Sequence, residues 1–327
     1  MLRVAMLSKW HVHAAGYARD IMSTGKAEIV AVWDENIQRG KDWAQNLNVD
    51  FEVDLDTLLA RKDIDAVICC TPTTMHDEVL VKAANAGKHI FTEKALSTTV
   101  EGCKRISDAV KTNGVTFTIS YPQLFNKSTK FIKSYIDSGK LGTVTTVRIR
   151  NAHSGVSNGW LPEYWFEEKD AGGGAMMDLG CHPMYQLAAL CGKPKRISAL
   201  FNSPLGSKVD ENAVSIIEFE NGIIGISETG FDSFSSPHRI EVYGTEGTII
   251  EQDWKLSIRT RESSETCEGF YEPKAEDNDA SPIEKFINAC IDGTGTPDGL
   301  DLDAAITLTQ LLENAYISNR TNTTVTL

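Results

Sequence analysis

The first 120 residues alternate short apolar runs with helical patterns, and this alternation restricts the fold more than any other feature. Arg3–Leu7, Glu28–Trp33, Ala66–Cys70, His89–Thr92 and Val115–Ser120 read as strands. Between them, His13–Ser23, Gln38–Leu47, His76–Asn85 and Thr99–Asn113 read as helices, and Gly87 stands where a helix-ending glycine belongs. Ala66-Val67-Ile68-Cys69-Cys70 has no polar face, so a strand there must be covered on both sides. Helical crossovers make neighbouring strands parallel. The expected architecture is α/β, a doubly wound parallel sheet over residues 1–121.

The pattern changes after Tyr121. Lys127–Ser138 reads as a helix, Thr143–Arg150 alternates with period two, and Asp178–Leu190 reads as a helix. Strand-like runs follow at Ile197–Asn202, Ala213–Phe219, Ile223–Thr229, Arg239–Tyr243, Thr248–Glu251 and Leu256–Arg259. Asn221-Gly222 between two of them is a hairpin signal. Helices return at Pro282–Ile291 and Leu302–Ser318, and Glu272–Ser281 reads as an acidic surface loop. Residues 122–327 are expected to form a second α/β domain with a large, predominantly antiparallel open sheet. A solvated sheet face invites a second copy, so a homodimer or homotetramer through this sheet is expected.

Two domains suit 327 residues. The net charge of −13 opposes a general nucleic-acid surface. No apolar run approaches the ~18–20 residues of a membrane span. Residues 1–7 are too short for a signal-peptide core and Ser8-Lys9-Trp10-His11 is no cleavage site, so export is not expected. Seven scattered cysteines without a CxxC pair suggest reduced thiols in a cytoplasmic setting rather than disulfides or a zinc knuckle.

Doubly wound sheets bind ligands at the carboxyl ends of their strands. After Leu7 a dinucleotide site would place glycines, yet the segment is Ser8-Lys9-Trp10-His11-Val12-His13. The bland reading of this loop is a turn that binds nothing. Asp34 ends the second strand, where a carboxylate accepts from both ribose hydroxyls of adenosine and repels a 2′-phosphate; it points to NAD rather than NADP. Lys94, after Glu93, is a lysine at a strand end, costly to bury unless paired or used on a hydroxyl. Gly172-Gly173-Gly174 runs into Asp178 and His182, spaced i,i+4 and so expected on one helix face. A histidine beside an aspartate can act as a general base near neutral pH. The loop His153–Lys169 holds Trp160, Tyr164, Trp165 and Phe166, aromatic faces suited to sugar rings; a packed lid is the competing account. Tyr121 and Gln123 follow the strand at Val115–Ser120 and are candidates to face a cleft. His238 reads as an ordinary loop residue. No metal site is expected, and a grouping of His11, His13 and Asp178 has no support from spacing.

Taken together, Thr71-Pro72 with His76, Gly87-Lys88-His89 leading to Glu93-Lys94, the Leu141-Gly142 turn and the Gly172–His182 segment resemble the Gfo/Idh/MocA family of oxidoreductases. The similarity covers essentially the whole chain. It implies an N-terminal Rossmann domain that binds NAD(P), a nicotinamide lying between the domains, and hydride transfer to or from a hydroxyl-bearing carbon of a sugar, inositol or related polyol. By the resemblance, Lys94 positions the reacting hydroxyl, Asp178 hydrogen-bonds the substrate, and His182 exchanges the proton. Thr71, Pro72, His76, Glu93 and Lys94 are expected along the cofactor, with Ser8, Trp10, His11, Val12 and Asp34 completing its set. His153, Trp160, Tyr164 and Trp165, with Tyr121 and Gln123, form the expected substrate set. Two departures stand out. Ser8, Trp10 and His13 occupy the three glycine positions, and Ala95 stands where the family usually has proline, at a turn that usually carries a cis bond. Two other function classes remain: a lyase or glycosidase that holds NAD tightly and oxidises transiently, and a non-catalytic sugar or dinucleotide sensor. Retention of Lys94, Asp178 and His182 argues against the sensor, which needs no proton acceptor.

Overall fold

The computed structural model describes residues 1–275 and 279–327. Part of the stretch Glu272–Ser281 read as a surface loop, residues 276–278, lies outside the described residues. These fall into two compact units, 1–121 with 280–309 and 122–279 with 310–327. The sequence reading kept 280–309 with the second domain; the structure groups it with the first.

The first unit runs β1 (Leu2–Leu7), α1 (Ala14–Thr24), β2 (Ala27–Trp33), α2 (Ile37–Leu47), β3 (Asp50–Phe51), α3 (Leu55–Ala60), β4 (Ala66–Cys69), α4 (His76–Asn85), β5 (His89–Thr92), α5 (Val100–Asn113) and β6 (Phe117–Ile119). All six strands are parallel in the order β3-β2-β1-β4-β5-β6, the order of dinucleotide-binding sheets. β3 and α3 are too short for periodicity to show them. The β4 residues Ala66–Cys69 are wholly buried, as their unbroken apolar run requires. One face of the sheet is covered in part by Ile283, Phe286 and Ile287, which join Val4, Met6, Ile21, Ile68 and Phe91 in one buried cluster.

The second unit carries α6 (Lys127–Asp137), β7 (Val144–Ala152), α7 (Glu168–Ala171), α8 (Ala175–Asp178), α9 (Cys181–Cys191), β8 (Pro194–Asn202), β9 (Asn212–Phe219), β10 (Ile224–Gly230), β11 (Arg239–Gly244), β12 (Gly247–Gln252) and β13 (Lys255–Thr260). The chain then forms α10 (Pro282–Asp292), α11 (Leu302–Thr321) and β14 (Val325–Thr326). The eight strands run β13-β12-β11-β7-β10-β9-β8-β14. Every pair is antiparallel except β7 with β10. The β9–β10 hairpin turns at Asn221-Gly222, with Gly222 at φ 87°. Burial alternates along β9: Ala213, Ser215, Ile217 and Phe219 point inward, while Val214 and Ile216 face solvent. α9 packs on the inner face against β7 and β10. No helix among the described residues is long and apolar enough to cross a membrane.

Phe286 is wholly buried in the first unit's core, so Phe286→Ala should cost about 3–5 kcal/mol. Denaturant unfolding read by a probe in residues 1–121 checks this; an unchanged midpoint there would separate 280–309 from that core.

Candidate active site

The loop after β1 shows how the chain manages without its glycines. Ser8 adopts φ 69°, the left-handed conformation that glycine takes freely and other residues at a cost of order 1–3 kcal/mol. Its hydroxyl accepts from the Trp10 amide at 3.0 Å and from Arg39 at 3.3 Å. The His11 amide donates to the Cys70 carbonyl beyond β4 at 3.1 Å. Trp10 and His11 are buried, whereas Val12 is exposed.

Glu93, at the end of β5, is the centre of this end of the sheet. Its side chain is 1 % exposed. Oε1 lies 2.8 Å from His13 Nδ1 and 3.4 Å from His11 Nδ1. It also accepts from the Tyr17 hydroxyl, which lies 2.7 Å from Ser120 Oγ. Oε2 accepts from the Lys94 amide at 3.1 Å. Burial pushes the Glu93 carboxyl up, but the charges of His11, His13 and Lys94 and the His13 hydrogen bond outweigh it and hold the group well below the usual carboxylate range. One N or O atom from each of His11, His13 and Glu93 lies within 4.8 Å of the others, a ligand set a metal ion could take. The third member of that grouping is Glu93 rather than Asp178. Lys94 is buried, and the Lys94–Ala95 peptide is cis.

His76, expected along the cofactor, is wholly buried and holds backbone instead. Its Nδ1 lies 3.0 and 3.2 Å from the Ala95 and Leu96 carbonyls, and Nε2 lies 3.2 Å from the Thr71 carbonyl. It therefore ties the Thr71-Pro72 turn after β4 to the Lys94-Ala95 turn after β5. Burial lowers its basicity, and the backbone carbonyls restore part of it.

Asp34 ends β2 buried, as expected, but its carboxylate already accepts from the Lys9 and Asn36 amides at 2.8 Å each and from Arg39, whose Nη2 lies at 2.7 Å. Glu35 also pairs with Arg39. Burial and the neighbouring Asp34 charge push the Glu35 carboxyl up. Arg39 sits one helical turn past Glu35, and sequence reading missed it.

In the second unit, the anticipated single helix carrying Asp178 and His182 is divided. α8 ends at Asp178 and α9 begins at Cys181, so the two do not share one helix face. Gly180, at the division, packs so closely on Met176 that a side chain there would meet its sulfur at 2.6 Å. His182 is buried, its Nδ1 2.8 Å from the Tyr185 hydroxyl, which accepts from the Gln123 amide at 3.1 Å. This places Gln123, through its backbone, in one chain of contacts with His182. Tyr185 was legible only as the i+3 neighbour of His182.

Asp210 is a second residue that sequence reading missed. Its carboxylate accepts from the Gly174 amide at 2.9 Å, the Met176 amide at 2.7 Å and the Tyr316 hydroxyl at 2.7 Å. A Cβ at Gly174 would sit 2.1 Å from the Asp210 carbonyl oxygen. The glycine run thus lets α8, and with it Asp178, dock on a buried carboxylate. In the aromatic loop, Trp160 is 54 % exposed and Tyr164 borders on exposed, whereas Trp165 is 2 % exposed and part of the packing. His153 stacks on Phe231 with centroids 5.1 Å apart and meets Trp160 at 4.6 Å. Tyr121 is buried at the end of the first unit. His238 pairs with Glu251 at 2.9 Å and stacks on Trp254.

Because burial lowers the folded-state basicity of His76, the unfolded chain takes up a proton that the folded chain refuses as pH falls through the ordinary histidine value of about 6.5. Stability is therefore greatest above that value and falls below it. His76→Gln should flatten the dependence of Tm on pH between about 5 and 7. His89 and His153, also lowered by burial, leave part of the slope in place. An unchanged slope would mean that His76 does not titrate on unfolding.

Comparisons with known proteins bear on the fold and the family. A model described as an oxidoreductase family with an NAD-binding Rossmann fold matches residues 11–121, and one for the GFO/IDH/MocA C-terminal domain matches 129–250. The scyllo-inositol 2-dehydrogenase (NAD(+)) of Bacillus subtilis is 27% identical over 303 residues, 88% of this chain and 85% of its own length. The 2,7-anhydro-N-acetylneuraminate hydratase of Mediterraneibacter gnavus is 27% identical over 237 residues, 68% of this chain and 60% of its own length. A levoglucosan dehydrogenase solved with NADH and levoglucosan shares the fold at a TM-score of 0.88 and 21% identity, over 99% of both chains. With both of its domain models matched and both of its sheets formed, the chain belongs to the Gfo/Idh/MocA family, oxidoreductases with an NAD-binding Rossmann fold.

Proposed function

We propose that this protein uses NAD to move a hydride to or from a hydroxyl-bearing carbon of a sugar, inositol or related polyol. The observation that carries the reading is the anchored imidazole of His182, held at Nδ1 by Tyr185. When Tyr185 accepts from both the Gln123 amide and His182 Nδ1–H, Nε2 bears the lone pair and takes the substrate hydroxyl proton. By the family resemblance, Lys94 favours the ionised form of a substrate hydroxyl, and Asp178 accepts from substrate hydroxyls. A nicotinamide, when bound, would supply the hydride acceptor or donor for that carbon.

The residues at the carboxyl ends of β1 and β2 suit a dinucleotide: Ser8 keeps the left-handed turn and Asp34 is buried where a ribose would lie. Ser8, Trp10, His11, Val12, Thr71, Pro72 and Glu93 are the proposed cofactor contacts, with His76 a positioning residue behind them. Arg39 beside Asp34 is the kind of residue that accommodates a 2′-phosphate. Asp34 and Glu35 together nevertheless place two carboxylates against that one guanidinium, and this negative balance supports NAD over NADP. Trp160, Tyr164 and His153 are the proposed sugar-facing residues, with Tyr121, Gln123 and Trp165 supporting them. The open sheet face exposes Leu200, Val214, Ile216 and Ile224, which supports a homodimer or homotetramer through it. Seven cysteines outside any disulfide suit a reducing, cytoplasmic setting.

A second reading, transient oxidation by a retained NAD in a lyase or hydratase, is favoured by the hydratase relative. It predicts product without accumulation of NADH.

Lys94→Ala and His182→Ala should each lower turnover by about 10²-fold or more, with fold intact by circular dichroism. Steady-state assays on a polyol panel, read as NADH absorbance and as product, check this; near-native rates in both variants would remove the catalytic assignment. Asp34→Ser, which leaves Arg39 paired with Glu35 alone, should move the NAD-to-NADP affinity ratio toward NADP by about 10-fold, about 1.4 kcal/mol. Titration of both nucleotides reads the ratio, and no movement would place the discrimination elsewhere.

A further inference from the structure

From the β1 loop we infer a site for one divalent transition-metal ion of the zinc class, held by His11, His13 and Glu93. Two imidazoles one residue apart and one carboxylate make a recurrent three-ligand set for such ions, with a position left for an oxygen ligand. The donors come from the loop after β1 and the end of β5, the two strands that flank β4. Their ligand atoms cluster within 4.8 Å. A tetrahedral ion with bonds of about 2.0–2.2 Å separates its ligand atoms by about 3.3–3.6 Å. The 3.4 Å separation of Oε1 from His11 Nδ1 falls within that span, and the 2.8 Å hydrogen bond to His13 Nδ1 would have to open by about 0.5 Å for an ion to enter.

His11 Nδ1 accepts from the His13 amide at 3.2 Å and lies 3.4 Å from the Glu93 carboxylate oxygen, and an ion seated between the loop and β5 would take the place of that amide contact. Binding through His13 Nδ1 releases the proton that this nitrogen otherwise shares with Glu93. Tyr17 and Ser120 complete an outer ring that orients the carboxylate, as partners of metal-bound carboxylates do. His13 is half-exposed, its side chain 42 % accessible, which opens the site to solvent.

The test uses the full-length protein stripped with chelator, then equilibrated with Zn²⁺ or Co²⁺ and dialysed. The expected result is one metal per chain by elemental analysis, with the visible d–d absorption of four- or five-coordinate Co²⁺ carrying nitrogen ligands. Zn²⁺ should also raise Tm. His13→Ala should weaken Co²⁺ binding by about 10-fold or more and abolish the Tm rise that Zn²⁺ gives over the metal-free variant, whose own Tm falls because Glu93 loses a partner. His11→Ala and Glu93→Gln should do the same where they fold. Absence of stoichiometric metal in the wild-type protein, or unchanged binding in His13→Ala, would overturn the assignment.

Discussion

The first unit depends on one buried carboxylate. Glu93 sits at the end of β5 with almost no access to water, so its charge has to be met by protein. It is met by two histidines and a tyrosine from the β1 loop and α1 and by the amide of Lys94. The same contacts that make the charge tolerable set the path of the loop where a dinucleotide-binding sheet places its glycines. The backbone strain at Ser8 is the local cost of that path, and the hydrogen bonds from Trp10 and Arg39 help to offset it. His76 extends the arrangement sideways by binding the turns after β4 and β5 to each other.

The second unit uses a buried carboxylate in a different way. Asp210 gathers two backbone amides and a tyrosine hydroxyl, and through them seats the short helix that ends at Asp178. A short helix gains little from its own hydrogen bonds, so its position is owed to this tertiary anchor and to close packing at Gly174. The division after Asp178 then lets α9 set His182 by its own contacts, chiefly Tyr185. In both units an active-site candidate is held by residues that take no part in proton or hydride transfer. That is the usual way a fold keeps a reactive side chain in one rotamer.

Elements with strong periodicity or unbroken apolar runs were legible before any coordinates. β4, α4 and β5 fall within a residue of where pattern alone puts them, and the hairpin at Asn221-Gly222 turns where its dipeptide signals. β3 and α3 carry too few residues to show a period. The path of 280–309 back to the first unit could not be read, because an amphipathic helix states that it has a partner without stating which. The separation of Asp178 from His182 was hidden for a similar reason: i,i+4 spacing assumes an unbroken helix, and the helix is interrupted at Leu179 and Gly180.

Sequence alone determined the class of fold, the family, and the residue types available for chemistry, because periodicity, turn residues and motif spacing are local properties. The tertiary structure decided which of those residues meet. Only there does Glu93 join His11 and His13, Arg39 cover Asp34, His76 turn from ligand contact to brace, and Trp165 go into the packing while Trp160 stays exposed. The physical reason is that a buried polar group is stable only beside a complementary one, and in a doubly wound sheet that partner comes from another strand end, many residues distant along the chain.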